Sequence, residues 1–358
     1  DFSVVAYLPE WRYEGANFDK ICQHVTHLLF FSLEPTPSGD ITGMDRFPGS
    51  HVLKDAKLAA KEHGCKLMIC FGGNGRSSGF SKMVRNNKSR KKFVKNVVNL
   101  LQDKELDGVD YNWEYPGYSF GSGYHSDEET QADYDGLIKL LQASRKSLPE
   151  KVITMAYYPD TKQEQILYKG GAEKYADMLH MMTYDQTAKE HKTHSTMEFA
   201  EVSMKQGVRI GLDRRKLTLG LPFYGRNSVN GDWTTYEDIV QQHHTLAGDV
   251  DIVPLATDGM KNSKKKTTIG FNGIQTIQEK VKLARELNMG GVMIWEVGQD
   301  CRLAPTHRSG TTHVTTCPNG EDSSLLVAIS RTLHGNLNNK VEKQEVNDGS
   351  GEFFKKFL

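Results

Sequence analysis

Between Leu106 and Pro116 the chain reads Leu-Asp-Gly-Val-Asp-Tyr-Asn-Trp-Glu-Tyr-Pro, which sets polar groups at alternate positions 110, 112 and 114 of a strand-like run. In an extended strand, side chains two residues apart project from the same face, so Asp110, Asn112 and Glu114 point one way. Two carboxylates and an amide on one face are costly to bury against apolar neighbours, so this face is expected to line a polar functional cavity. Glu114, at the end of the run, is the candidate proton donor. Comparable groups recur along the chain: Tyr7 and Trp11, Gly72-Gly73, Met182-Thr183-Tyr184-Asp185, Pro222-Phe223-Tyr224-Gly225-Arg226 and Trp295-Glu296. Aromatic rings interleaved with hydroxyls and carboxylates suit a sugar, because a pyranose offers an apolar face for stacking and hydroxyl edges for hydrogen bonds.

Such dispersed groups can act together only if the fold gathers them. Short apolar β-rich runs alternate with longer amphipathic ones, the pattern of βα units wound into a parallel sheet. Eight strands are predicted, at Ser3–Leu8, Val25–Leu33, Lys66–Phe71, Gly108–Asn112, Val152–Tyr157, Met178–Tyr184, Leu217–Leu221 and Gly291–Trp295. Helices are predicted near 50–63, 80–102, 129–147, 195–208, 274–288 and 322–334, with start signals at Ser126-Asp127 and Asn272-Gly273. No Pro-, Gly- or charge-rich linker divides the chain, which favours one closed α/β (β/α)₈ TIM barrel over residues 1–335 rather than two doubly wound domains. Residues 226–270 read as a short insertion between the seventh strand and its helix, with Lys264-Lys265-Lys266 as a solvated run. Residues 336–358 read as a polar C-terminal tail. In such a barrel the reactive groups sit at the C-terminal ends of the strands, where the clusters above fall.

The 358 residues are 37% hydrophobic, enough for a large core. Lys plus Arg and Asp plus Glu are each 45, so no net field favours nucleic acid or an anionic membrane, and a neutral partner such as a sugar is compatible. No window has the length and apolarity of a membrane span, and Asp1 in first position resembles a processed or trimmed chain; secretion as a monomer is the expectation. Of Cys22, Cys65, Cys70, Cys301 and Cys317, the last two lie in one loop-like stretch and are the pair best placed for a disulfide. If formed, that short loop contributes about 3 kcal/mol; a fully reduced set is the alternative. His191, His194, His243 and His244 lack paired-ligand spacing and are read as solvated, so no metal or other cofactor is expected. Gly72-Gly73-Asn74-Gly75 lacks the Lys-Ser/Thr ending of a phosphate loop and is read as a tight turn. Asn87-Lys88-Ser89 fits a glycosylation sequon.

Taken together, Asp107, Gly108, Asp110 and Glu114 resemble the Asp-Gly-x-Asp-x-Asp-x-Glu strand-four motif of glycoside hydrolase family 18, the chitinases and chitinase-like lectins. Met182-Thr183-Tyr184-Asp185, Gly220-Leu221-Pro222-Phe223-Tyr224-Gly225-Arg226 and Gly290-Gly291-Val292-Met293-Ile294-Trp295 are similar to other motifs of that family, in order from Tyr7 to Asp300. The resemblance implies retaining hydrolysis of β-1,4-linked N-acetylglucosamine polymers, with the acetamide carbonyl of the sugar in place of an enzyme nucleophile. It implies Glu114 as acid and base, its pKa raised by burial and by Asp110, and Tyr184 as the group holding the acetamide oxygen. Trp295 would be the floor beneath the cleaved sugar, Asp185, Tyr224 and Arg226 would orient it, and Trp11 would stack a more distant unit. Tyr7, Gly73 and Met182 complete the implied substrate-binding set.

The departures from the family are specific. Its third aspartate, which orients the acetamide and faces the oxazolinium-like intermediate, is Asn112, which can accept a hydrogen bond but carries no charge; a few kcal/mol of transition-state stabilisation rests on that difference. The strand-three Ser is Cys70, a Trp that often stacks the leaving-side sugar is Asn74, and the usual strand-two Phe is Ser32. Three functions follow: a chitinase attenuated by Asn112, a chitin-binding lectin without turnover, or an endo-β-N-acetylglucosaminidase acting on N-glycans. All three take chitin or N-acetylglucosamine oligosaccharides, or a glycan built from that sugar, as partner.

Overall fold

The computed structural model describes residues 2–186, 193–244, 246–255, 267–303 and 315–335. Eight strands form the central sheet: β1 (Ser3–Pro9), β2 (His27–Pro35), β3 (Lys66–Gly72), β4 (Gly108–Asn112), β5 (Val152–Tyr157), β6 (Met178–Met181), β7 (Leu217–Pro222) and β8 (Gly291–Trp295). Each pairs in parallel with its neighbours, and β1 pairs with both β2 and β8, so the sheet closes into the barrel that the alternating pattern predicts. Around it lie α1 (Phe18–His24), α2 (Ser50–His63), α3 (Asn87–Lys104), α4 (Asp127–Ser147), α5 (Thr161–Gly170), α6 (Met197–Ile210), α7 (Ile274–Glu286) and α8 (Leu325–His334).

The strands read as nearly continuous apolar runs because both faces are covered. Outward-facing residues such as Val4, Ala6, Leu8, Val109, Tyr111 and Ile153 pack against the helices in one large cluster. Inward-facing Val5, Tyr7, Leu29, Met68, Cys70 and Met293 form a second cluster inside the barrel. On β4 this alternation puts Val109 and Tyr111 in the outer core and turns Asp110 and Asn112 inward, as the spacing predicts.

Several boundaries differ from the sequence expectations. The predicted sixth strand stops at Met181, because Thr183, Tyr184 and Asp185 leave the ladder, with Asp185 at φ 61°. The fourth strand, by contrast, has its predicted bounds, and Glu114 lies just beyond its end. The helix expected over 80–102 is two, Phe80–Arg85 and α3, separated at Asn86, whose side chain accepts from the N–H groups of Lys88 and Ser89 and so starts a new helix. Helices α1, α5 and Tyr236–Gln242 were not expected: two span only seven residues, and α5 buries Gln163 and Glu164 as well as Leu167, so its apolar periodicity is weak. Ser126 caps α4 through Glu129 N–H, as predicted, whereas Gly273 precedes α7 without a side-chain cap.

Between β7 and α7 the chain forms a four-stranded antiparallel sheet of Tyr224–Asn227, Trp233–Thr235, Ile252–Pro254 and Thr268–Gly270, with helix Tyr236–Gln242. Its first strand leaves β7 directly and so carries Tyr224 and Arg226 into the barrel mouth. Cys301 and Cys317 form a disulfide, while Cys22, Cys65 and Cys70 are free and buried. Among the described residues, no helix is long and apolar enough to cross a membrane. Lys264–Lys266, His191 and the predicted tail lie outside the described residues.

Candidate active site

Asp110, on β4, is fully buried within the barrel. Its register neighbours on either side are Cys70 and Thr154. Thr154 Oγ1 donates to Asp110 Oδ1 at 2.7 Å and the Tyr7 hydroxyl donates to Oδ2 at 2.9 Å. Burial raises the Asp110 pKa, and the hydrogen bonds from Thr154, Cys70 and Tyr7 oppose that rise. His180 lies 3.9 Å away, but burial pulls it down to about 3, so it stands neutral with Nδ1 against Thr218 Oγ1 at 2.7 Å.

Above Asp110 sits Asn112, 2% exposed, with an Oδ1 that has no hydrogen-bond partner. A buried acceptor left open in a cavity wall is a place for a ligand N–H. Glu114 stands one step higher, its own N–H held by Ser77 Oγ at 3.1 Å. Burial raises its carboxyl to about 7; the Asn112 amide opposes the rise, the charge of Asp185 adds to it, and the Asn74 N–H opposes it again. A carboxylic acid that keeps its proton to near neutrality is what general acid catalysis needs. Gly73 shapes the same wall: it has φ +98°, donates to Asn112 O at 2.6 Å, and a Cβ there would fall 2.2 Å from the Phe31 ring.

The facing wall comes from the ends of β6 and β7. Asp185 Oδ1 accepts from the Tyr224 hydroxyl at 2.8 Å and from Arg226 Nε at 2.9 Å. Burial works against the Asp185 charge, but His194, Arg226 and Tyr224 outweigh it and hold its pKa below the usual carboxylate range. His194, expected to be solvated, is buried: its Nδ1 accepts from Asp185 N–H at 3.2 Å and its Nε2 lies 3.0 Å from Tyr224 O. The correction has a tertiary cause, since the segment after residue 192 folds back under Asp185, with Gln186 N–H bonded to His194 O. Tyr184 is buried beside Tyr224, with ring centroids 6.2 Å apart.

Trp295 packs edge-on against Phe31 at 4.7 Å and Tyr7 at 5.5 Å. Together these walls enclose a cavity of about 320 Å³. Ten of the predicted residues line it: Tyr7, Trp11, Asn112, Glu114, Met182, Tyr184, Asp185, Tyr224, Arg226 and Trp295. Asp110 and Gly73 are not among the lining residues: they stand behind them, Asp110 bonded to Tyr7 and Gly73 to Asn112. Sequence reasoning missed Phe31, Arg76, Tyr115, Tyr158, Trp233 and Gln299, which also line it. The ring sought at Ser32 is present one residue earlier, in Phe31. Arg76 lies over Trp11 and Phe31 at 5.7 and 5.4 Å and is paired with Glu10 at 2.6 Å. Trp233 carried no sequence signal; it stands opposite Arg226 in the insertion sheet and is 53% exposed. Glu296 is pushed by burial to about 7, against the charge of Arg12 at 3.1 Å. Non-proline cis peptides occur at Phe31–Ser32, Glu114–Tyr115 and Trp295–Glu296, the first within β2 and the others just past β4 and at the end of β8.

Comparison with known proteins finds chitinases among the chain's relatives. The chain is 25% identical to "Probable chitinase 2" of Drosophila melanogaster over 406 aligned positions, covering 93% of this chain and 80% of the relative. It is 23% identical to "Probable chitinase 10" of the same organism over 94% of its own length, but spans only 16% of that longer protein. Among solved structures, a chitinase from Bacteroides thetaiotaomicron has the same fold, with a TM-score of 0.70 at 19% identity, covering 94% of this chain and 98% of that one. The catalytic domain 2 of the Group II chitinase of Ostrinia furnacalis gives 0.71 at 20% identity, covering 94% and 97%. The profile of Glycosyl hydrolases family 18 matches residues 3–300, from the first strand of the barrel to the loop after the eighth, and the chain therefore belongs to that family.

Proposed function

We propose that this chain is a chitinase-type hydrolase of β-1,4-linked N-acetylglucosamine, retaining in stereochemistry and assisted by the substrate's own acetamide. The observation that carries the reading is the pairing of Glu114, protonated to about 7, with the unpartnered Asn112 Oδ1 in one cavity floored by Trp295. Glu114 gives its proton to the glycosidic oxygen as the C1–O bond breaks, and the acetamide carbonyl oxygen bonds to C1 from the other face. Asn112 Oδ1 accepts the acetamide N–H, and the Tyr184 hydroxyl supports the carbonyl oxygen. The Glu114 carboxylate then takes a proton from the water whose oxygen bonds to C1 as the C1–acetamide oxygen bond breaks, which restores the acid, the acetamide and the original configuration. Asp185, fixed by Tyr224, Arg226 and His194, is placed to orient the sugar's hydroxyls. The Cys301–Cys317 disulfide supports an extracellular setting.

Time-resolved mass spectrometry of chitohexaose tests this. Shorter products are expected from the chain, and none from Glu114→Gln, which should still bind the sugar. Equal hydrolysis by the two proteins would remove Glu114 as the acid. A second reading, a sugar-binding protein without turnover, is favoured by Asn112 itself: binding needs shape and stacking, whereas the intermediate's positive charge calls for an anion that an amide does not supply. Binding without products from the unaltered chain would select it.

A further inference from the structure

The cavity wall next to Glu114 continues outward as a band of aromatic rings that the proposed chemistry does not use. Tyr115 and Tyr158 line the cavity, with ring centroids 6.4 Å apart. From Tyr115 the rings run on to Tyr118 at 5.8 Å and Phe120 at 5.8 Å, and Tyr118 touches Phe120 at 5.7 Å. Phe120, at the far end, is 57% exposed. It stands at the tip of a hairpin formed by Tyr118–Ser119 and Gly123–Tyr124.

The hairpin is anchored without Phe120. The Tyr124 hydroxyl donates to Asp160 Oδ2 at 2.6 Å, Lys162 lies over the Tyr124 ring at 4.5 Å, and Gly117 N–H donates to Asp133 Oδ2 at 3.0 Å. A half-exposed phenyl ring on an anchored tip, continuous with a sugar-sized cleft, is available for stacking rather than needed for packing. The placement round the barrel gives direction. Trp11 follows β1 and Trp295 ends β8, whereas Tyr115, Phe120 and Tyr158 follow β4 and β5, half a turn away in the ring of strands. On that placement, an oligosaccharide long enough to cross the mouth from Trp11 past Glu114 would reach this hairpin. Asn74, which also borders the cavity, offers an exposed amide and no ring.

We propose that Phe120, backed by Tyr115 and Tyr118, is a stacking platform for N-acetylglucosamine units on the leaving-group side of Glu114, supplying the aromatic contact that Asn74 does not. The inference rests on the proposed function and extends it to a preference for long oligosaccharides. Calorimetric titration of chitotriose and chitohexaose into the full chain carrying Glu114→Gln, which prevents turnover, tests it. Adding Phe120→Ala is expected to weaken chitohexaose roughly five- to tenfold, with chitotriose within about twofold, and Phe120→Trp to restore the longer sugar. Adding Trp295→Ala is expected to weaken both. Unchanged chitohexaose affinity in Phe120→Ala, or an equal loss for both sugars, overturns the platform while the Trp295→Ala result leaves the cleft assignment standing. If the parent binds neither sugar, or Trp295→Ala changes nothing, the cleft assignment itself fails and the platform with it.

Discussion

Asn112 is the residue at which the site departs most from its own motif, and its consequences are electrostatic. An amide keeps the hydrogen-bond acceptor and removes a charge from a buried position where a charge acts strongly. Asn112→Asp is expected to raise chitohexaose turnover by about ten- to a hundredfold, the range a few kcal/mol of missing stabilisation allows, measured as initial product release. No gain would mean that orientation by the amide suffices. With Glu114 as the proposed acid, kcat/KM is expected to fall as pH rises through about 7. In Asn112→Asp the added negative neighbour favours that proton, so the descending limb should move to higher pH; a limb that stays in place would separate Glu114 from residue 112.

At the scale of elements, α7 reaches the site through one buried cation. Lys280 Nζ donates to Ser195 O at 2.8 Å, Ser195 Oγ at 2.7 Å and Asn272 Oδ1 at 2.7 Å. The Ser195 hydroxyl in turn donates to Thr183 O at 2.6 Å, so the segment under Tyr184 and Asp185 is pinned from behind. Burial pulls Lys280 down to about 7, yet all three partners act as acceptors, which a full ammonium satisfies and a neutral amine does not. Lys280→Met leaves Asn272 Oδ1 buried without a donor, at about 1–3 kcal/mol, while Ser195 O keeps the Asn272 Nδ2 donor at 2.9 Å, so the thermal midpoint should drop by a few degrees and sugar affinity should fall with it. An unchanged melt would show that the segment holds itself. The helix was legible in the sequence, since its apolar positions recur at helical spacing. The buried lysine was not, because lysine on a helix is ordinarily a surface residue.

Over the whole molecule, two sets of buried titratable groups pull stability in opposite directions. Burial raises Glu114, Glu164 and Glu296 to about 7 and Asp300 to about 6, so the folded state holds protons that the unfolded chain releases at lower pH. Their contribution is present below the unfolded values and is lost as pH rises to the folded ones. Burial also lowers His24 and His27 to about 4 and His180 to about 3. The unfolded chain then holds protons that the folded one refuses, and stability from this set grows with pH up to about 6.5. Glu164, bonded to Tyr157 and Gln206, is remote in sequence from the active-site motif and is the cleanest probe. Glu164→Gln removes one falling contribution, so its thermal midpoint relative to the parent should rise between pH 5 and 7. A constant difference would mean that Glu164 ionises as an ordinary surface carboxylate does.

The alternation of short apolar runs with longer amphipathic ones determined the βα units and hence the barrel, and the polar spacing of β4 determined the inward turn of Asp110 and Asn112 and marked Glu114 as the candidate acid. Those are properties of residues near one another in the chain, where backbone geometry fixes direction. Only the closed barrel decided the rest. Tyr7 meets Asp110 across 103 positions and Lys280 meets Ser195 across 85. His194 is buried under Asp185 rather than solvated, and Phe31 rather than residue 32 faces Trp295. Periodicity states which side of a strand a residue occupies, but the neighbour it meets there depends on closure, register and the path of loops. The raised proton affinity of Glu114 is likewise tertiary, because it comes from the water that the assembled walls exclude.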